Sequence, residues 1–182
     1  MLTYPDFLKP TDIEVFSLEN TTIAIPKCII AFEKWSGSPI KNTFGGKPVV
    51  CVNNQPMFAE LAIMTYFISE GWDSRWIETY GKSNKEPIYL SNWKDDKYKN
   101  QEHTPIRNER ILKLLNGIAI HNDNSFSGCW DVLAWHNENI IFAESKRTKK
   151  DKIRQTQVNW LNAGLKSGLN SNNFLVIQWD LE

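Results

Sequence analysis

Cysteine and histidine are scarce in this chain, and neither occurs at a spacing that a metal centre or a disulfide framework needs. The three cysteines, Cys28, Cys51 and Cys129, are far apart, odd in number and include no CxxC pair, which argues against a zinc ribbon or a disulfide scaffold. They read instead as small apolar residues in a reducing, cytoplasmic setting. His103, His121 and His136 form no HxxxH or HExxH pattern that would set two imidazoles on one helical face, so a zinc hydrolase is disfavoured. Long apolar runs are also missing. No stretch approaches the ~18 residues of a membrane span, and the start MLTYPDFLKP has no basic region followed by an apolar run. The expectation is a soluble protein with no membrane partner. Charge of one sign is not in excess either, since 21 Lys and Arg balance 21 Asp and Glu, so any attraction for nucleic acid must come from a local patch.

What the chain does have is apolar and aromatic bulk. Its 182 residues are 41% hydrophobic and include eight Trp and nine Phe, enough to bury a core and compatible with one folding unit. We read residues 1–182 as a single domain, with a β-rich extension over 1–55 and a core over 56–182 that carries an insertion at 81–128.

The extension alternates apolar and polar residues in short bursts, as in Ile13-Glu14-Val15-Phe16, Thr22-Ile23-Ala24-Ile25 and Cys28-Ile29-Ile30-Ala31-Phe32. With Leu18-Glu19-Asn20 and Pro26 as punctuation, this predicts hairpins or a meander. A short strand is predicted near 47–52 and a helix over 56–70, with Pro56 in its first turn and Gly71 as its stop. A strand follows over 72–80, then a polar stretch over 81–104, and then an amphipathic helix carrying Ile106, Ile111, Leu114, Leu115, Ile118 and Ala119. Residues 130–135 and 140–146 form two apolar runs around the turn His136-Asn137-Glu138-Asn139. A helix over 150–166 and a buried strand over 174–179 complete the chain. Leaving the inserted helix aside, the order αβββαβ predicts an α/β fold with a central mixed sheet flanked by helices.

The chemistry concentrates on the second of those apolar runs. Strand residues alternate between faces, so Glu144 and Lys146 share a face and Ser145 lies on the other. A hairpin symmetric about Asn137 and Glu138 sets Asp131 opposite Glu144. Opposed carboxylates between strands this apolar are costly, and a divalent cation removes the conflict. Hard oxygen ligands point to Mg²⁺ held by Asp131, Glu144 and the backbone carbonyl of Ser145. Such an ion activates water and polarises a phosphoryl oxygen while Lys146 orients the water or stabilises the transition state, which predicts phosphodiester hydrolysis. A lone Glu-x-Lys is ordinarily a surface ion pair worth under about 1 kcal/mol. The upstream acid, the apolar lead-in and the following helix set this one apart.

Three further features support the site. Gln157 interrupts the apolar stripe Ile153, Trp160, Leu161, Gly164 and Leu165, and its amide either serves the site or is satisfied by backbone. Glu60 interrupts the stripe of Ile63, Met64 and Phe67, either as an acid supporting the site or as a carboxylate favoured by the helix dipole. The segment 146–154 holds six basic residues and one acid, and Arg147, Lys149, Lys150, Lys152 and Arg154 are candidates for phosphate-backbone contact. A charge run is more often a solvated helix face. Among the tryptophans, Trp93 in Asn92-Trp93-Lys94 is the candidate for stacking on a base.

With Asp131, Glu144-Ser145-Lys146 and Gln157 assembled, the chain resembles the PD-(D/E)XK nuclease superfamily. The segments Phe142-Ala143-Glu144-Ser145-Lys146 and Gln157-Val158-Asn159-Trp160-Leu161 look most like its virus-type replication and repair branch. The resemblance covers roughly 56–180, and Trp130-Asp131 stands where the family usually has Pro-Asp. It implies a restriction-endonuclease-like fold, Mg²⁺ or Mn²⁺, and DNA as substrate. It also implies Asp131 and Glu144 as metal ligands, Lys146 as the catalytic lysine, Gln157 as the helix glutamine and Glu60 as the first-helix acid. A nucleic-acid-binding module without turnover and an RNA-directed nuclease are the competing readings. A homodimer suits an enzyme that cuts both strands of a duplex.

Overall fold

The computed structural model describes residues 3–18, 21–79, 84–97 and 100–182. In chain order the elements are β1 (Asp12–Leu18), β2 (Thr21–Lys34), β3 (Val50–Val52), β4 (Gln55–Met57), α1 (Ala59–Ser69), β5 (Asp73–Glu78), β6 (Ile88–Leu90), α2 (Glu109–His121), β7 (Val132–His136), β8 (Asn139–Arg147), α3 (Gln155–Lys166) and β9 (Phe174–Leu181). Among the described residues all nine strands belong to one mixed sheet, ordered β4-β3-β2-β9-β8-β7-β5-β6, with β1 paired to β2. β9 runs parallel to both neighbours, β2 and β8, and the other pairs are antiparallel. The fold is therefore α/β with a mostly open mixed sheet. Among the described residues no helix is long and apolar enough to cross a membrane.

Alternation along the central strands separates two cores, one on each face. Val132, Ala134, Ile141, Ala143, Leu175 and Ile177 pack on α1 through Ala62, Ile63 and Phe67. Leu133, Trp135, Ile140, Phe142, Phe174 and Val176 pack on α2 and α3 through Ile111, Leu115, Trp160 and Leu161. Strands apolar on both faces are what a covered sheet requires, and β8, buried from Ile140 to Ser145, is the clearest case. Even-numbered residues of β8 face α3, so Glu144 and Lys146 point toward its first turn.

The structure departs from the sequence expectations at several boundaries. Residues 53–57 do not start a helix. Asn53 and Asn54 both have positive φ, 52° and 59°, the conformation of a two-residue hairpin turn, and they join β3 to β4. Pro56 then sits in β4, a terminal strand of the sheet, where its missing N–H is tolerated, and α1 begins at Ala59. Pro26 does not divide β2 either. It pairs with Ile13 of β1 one residue before the β2–β9 ladder opens at Lys27, so it removes no donor from that ladder. The strand predicted over 72–80 is Asp73–Glu78, and Tyr80 lies outside the described residues, as do Glu19 and Asn20 of the first predicted turn. Within the 81–128 segment, β6 joins the sheet against β5, and α2 starts at its cap Asn108, whose side chain accepts from Arg110 N and Ile111 N. The last helix starts at Gln155, not near 150. Lys149 has φ 57°, and Asp151 Oδ2 accepts from Arg147 N at 3.0 Å, so the basic segment is a turn leading into α3.

One glycine sets how closely β7 approaches α3. Gly128 has φ 78°, and a Cβ built there would lie 2.1 Å from the backbone oxygen of Thr156 in the first turn of α3. Both the conformation and the contact exclude a side chain. Gly128→Ala is expected to lower stability by about 2 kcal/mol or more, read as a lower urea midpoint. An unchanged midpoint would show that the 126–130 segment yields.

Candidate active site

The β7–β8 hairpin has the register expected from the sequence, with Val132 opposite Ala143 and His136 opposite Asn139. Asp131 itself is not a ladder residue. It occupies a bend immediately before β7, fixed from two sides: its carbonyl accepts from Ile77 N of β5 at 2.7 Å, and its Oδ2 accepts from Ser145 N of β8 at 3.0 Å. The carboxylate is thereby held beside β8, lining the same cavity as Glu144.

Glu144 is wholly buried, with 0% of its surface exposed. Its Oε1 meets Lys146 Nζ at 2.7 Å and also accepts from Gln157 Nε2. Its Oε2 has no hydrogen-bond partner among the described residues. Burial first, and then the Asp131 charge, push the Glu144 carboxyl well above the usual carboxylate range, and Lys146 only partly opposes them. Gln157 is held at both ends of its amide. Its Oε1 accepts from Arg154 N at 2.8 Å, closing the start of α3, which leaves the NH₂ group to face Glu144. The backbone alternative for this residue is realised at Oε1, and its NH₂ group meets Glu144. Ser145 points to the opposite face, where its Oγ accepts from Trp179 Nε1 at 2.9 Å.

These groups line a cavity of about 680 Å³ together with Ser145 and Arg154, with the carboxylates of Glu78 and Asp151, and with Glu60 and Lys47 from the first half of the chain. Glu60 comes from the first turn of α1 and is 7% exposed. Its Oε1 forms an ion pair with Lys47 Nζ. Burial and the Asp131 charge raise the Glu60 carboxyl, and Lys47 opposes the rise. For Lys47 burial favours loss of the proton, yet the carboxylates of Glu60, Asp131 and Glu78 outweigh it and hold the ammonium above the ordinary lysine value.

The structure thus brings together Asp131, Glu144, Lys146, Gln157 and Glu60. Of the basic segment, Arg154 reaches the cavity, whereas Arg147, Lys149, Lys150 and Lys152 do not line it. Arg147 instead lies over the Trp179 ring and 3.6 Å from Asp180. Trp93 is a packing residue, with its ring 5.1 Å from those of Phe44 and Phe58 and 5.9 Å from that of Trp76. Sequence reasoning missed Lys47, because it belongs to a loop remote from every motif and no local pattern marks it.

Among the described residues no cluster of three or more His, Cys, Asp or Glu side chains is gathered to hold a metal ion. The donors at the hairpin are two carboxylates, one with an orphaned oxygen. That set fits Mg²⁺, which is commonly held by one or two carboxylates and completes its shell with water and phosphate oxygen.

The chain matches no family model, no curated protein and no solved structure.

Because the folded chain holds the Glu144 proton more tightly than the unfolded chain does, the stability from this group is full below the ordinary carboxylate range and falls as pH rises through the folded value. Glu144→Gln removes the buried charge and keeps an acceptor for Lys146 and Gln157. In EDTA, as pH rises above the ordinary carboxylate range, the variant is expected to become more stable than wild type by up to roughly 1–3 kcal/mol, with the gap closing toward acid pH. Thermal melts across pH check this; a variant that is less stable at every pH refutes it.

Proposed function

We propose that this chain is a metal-dependent nuclease of the PD-(D/E)XK type that hydrolyses phosphodiester bonds, with DNA as its substrate. The observation that carries the reading is Glu144, a carboxylate wholly buried in an apolar sheet, with one oxygen unpartnered among the described residues, a second carboxylate lining the same cavity and a lysine two residues on. Structural ion pairs do not need that arrangement, because an unpaired buried acceptor beside a like charge costs stability. Sites that bind cations and act on phosphates do need it. The element order α1, β5, β7, β8, α3, β9, with β6 and α2 inserted, supports a restriction-endonuclease-like core.

In this reading Asp131 and Glu144 hold Mg²⁺ or Mn²⁺, with the Ser145 carbonyl as a further oxygen. Bound there, the ion would acidify a water and polarise a phosphoryl oxygen. Lys146, two residues along the same face, offsets charge that develops on the phosphate and orients the attacking water. Gln157 fixes the rotamer of Glu144, and Glu60 supports the same cavity from α1. Arg154 at the rim and the exposed lysines of the preceding turn contact the phosphate backbone, which makes binding salt-dependent. The buried thiols of Cys28 and Cys129 suit the reducing cytoplasm. A homodimer would supply the second cut of a duplex.

The test is cleavage of single-stranded, double-stranded and branched DNA and of RNA with Mg²⁺, Mn²⁺ or EDTA. Asp131→Ala and Lys146→Ala are each expected to lower turnover at least about 100-fold without loss of fold. Cleavage of RNA alone would reassign the substrate, and binding without any cleavage would favour a binding module. Activity unchanged in both variants would end the catalytic assignment.

A further inference from the structure

Lys47 lies outside the hairpin and outside the segment that resembles a nuclease, yet it contributes an ammonium to the same cavity. Its loop is stiff. Lys47 N donates to Thr43 O at 2.8 Å, Gly46 N donates to Thr43 Oγ1 at 3.1 Å, and Phe44 N donates to Asn42 Oδ1 at 3.1 Å. Phe44, Gly45 and Gly46 all have positive φ, from 48° to 91°, and only glycine adopts the last two at little cost. Asp95 Oδ1 fastens the loop further by accepting from Lys41 N at 2.7 Å and from Asn42 N at 2.8 Å. The ammonium stands 5.4 Å from the centre of the Trp76 ring and 5.7 Å from that of Phe44, and Glu60 pairs with it.

An ammonium that served only to neutralise Glu60 would be best enclosed with it. Instead the Lys47 side chain is 32% exposed while that of Glu60 is 10% exposed, so the lysine is the more open member of a pair that lines the cavity. The aromatic shelf and the anchored loop fix its position, which lowers the entropy lost when a ligand oxygen docks. A carboxylate behind a lysine and an open cavity before it form a receptor for an anion. The cavity interleaves Lys47, Lys146 and Arg154 with the carboxylates of Glu60, Glu78, Asp131, Glu144 and Asp151, so the anion that fits is one whose charges are spaced to meet the cations singly, as along a nucleic-acid backbone.

We infer that Lys47 is a substrate-binding residue of this site, contacting a backbone phosphate adjacent to the one that reaches Asp131 and Glu144, an assignment that rests on the nuclease reading. It is distinct from Lys146, which acts on the reacting phosphate. Glu60 and the Phe44–Trp76 shelf position it.

Removing Lys47 alone leaves a buried carboxylate unpaired and can unfold the chain, so the informative comparison is Glu60→Gln against the double variant Lys47→Met/Glu60→Gln, each checked by circular dichroism. Binding of fluorescein-labelled single-stranded and duplex DNA oligonucleotides is measured in EDTA between about 50 and 200 mM KCl. The double variant is expected to lose about one unit from the slope of log affinity against log salt relative to Glu60→Gln, and Lys47→Arg is expected to keep the wild-type slope. Equal slopes in the two Glu60→Gln backgrounds, with wild-type binding intact, overturn the assignment of Lys47 and leave the nuclease reading standing. Wild-type protein that neither binds nor cleaves any nucleic acid overturns both.

Discussion

A carboxylate held in the middle of an apolar sheet is the constraint around which the rest of this molecule is arranged. Glu144 is flanked along β8 by Phe142 and Ala143, both fully buried, and no water-exposed surface remains to it. Burying a charge there costs several kcal/mol unless it is paired and hydrogen-bonded. Lys146 and Gln157 supply part of that compensation to one oxygen and leave the other unmet. The start of α3 is organised to the same end, since Gln157 ties the backbone of Arg154 with one end of its amide and Glu144 with the other. Gly128 lets the segment before Asp131 approach that same first turn closely.

The strands before residue 55 belong to the same architecture. β2 pairs in parallel with β9 from Lys27 to Phe32, and β9 in turn pairs with β8 across Glu144 and Lys146. This makes β9 an interior strand with a partner on each side, and the ladder that holds the acidic hairpin does not end at an open edge. The loop between β2 and β3 then carries Lys47 into the cavity. The first third of the chain therefore supports the central strands and also furnishes a side chain to the site.

Much of this was legible in the sequence, for physical reasons that differ from element to element. Period-two alternation and the Asn137-Glu138 turn sufficed to fix the β7–β8 register, because a slip of one residue would turn Leu133 and Phe142 out of their core. The apolar stripe of α2 was visible because that helix buries one side, whereas α1 is buried all round from Ala59 to Met64 and was marked by its apolar content. Boundaries were less legible. Asn53-Asn54 carries a hairpin signal that the proline after it obscured, and the basic run at 147–154 has helix-forming composition but is held as a turn by Asp151 and by the left-handed Lys149.

The sequence by itself determined the α/β class, the pairing of the two central strands and the placing of Glu144 and Lys146 on one face, since each follows from a period of two or of 3.6 along neighbouring residues. Only the tertiary structure decided that Glu60 and Gln157 meet at one cavity from helices on opposite faces of the sheet, that Asp131 is pinned to Ser145 N, that Trp93 is used for packing and that Lys47 enters the cavity. Those relations join residues far apart in the chain, and local periodicity carries no information about which distant loop will cover a given strand.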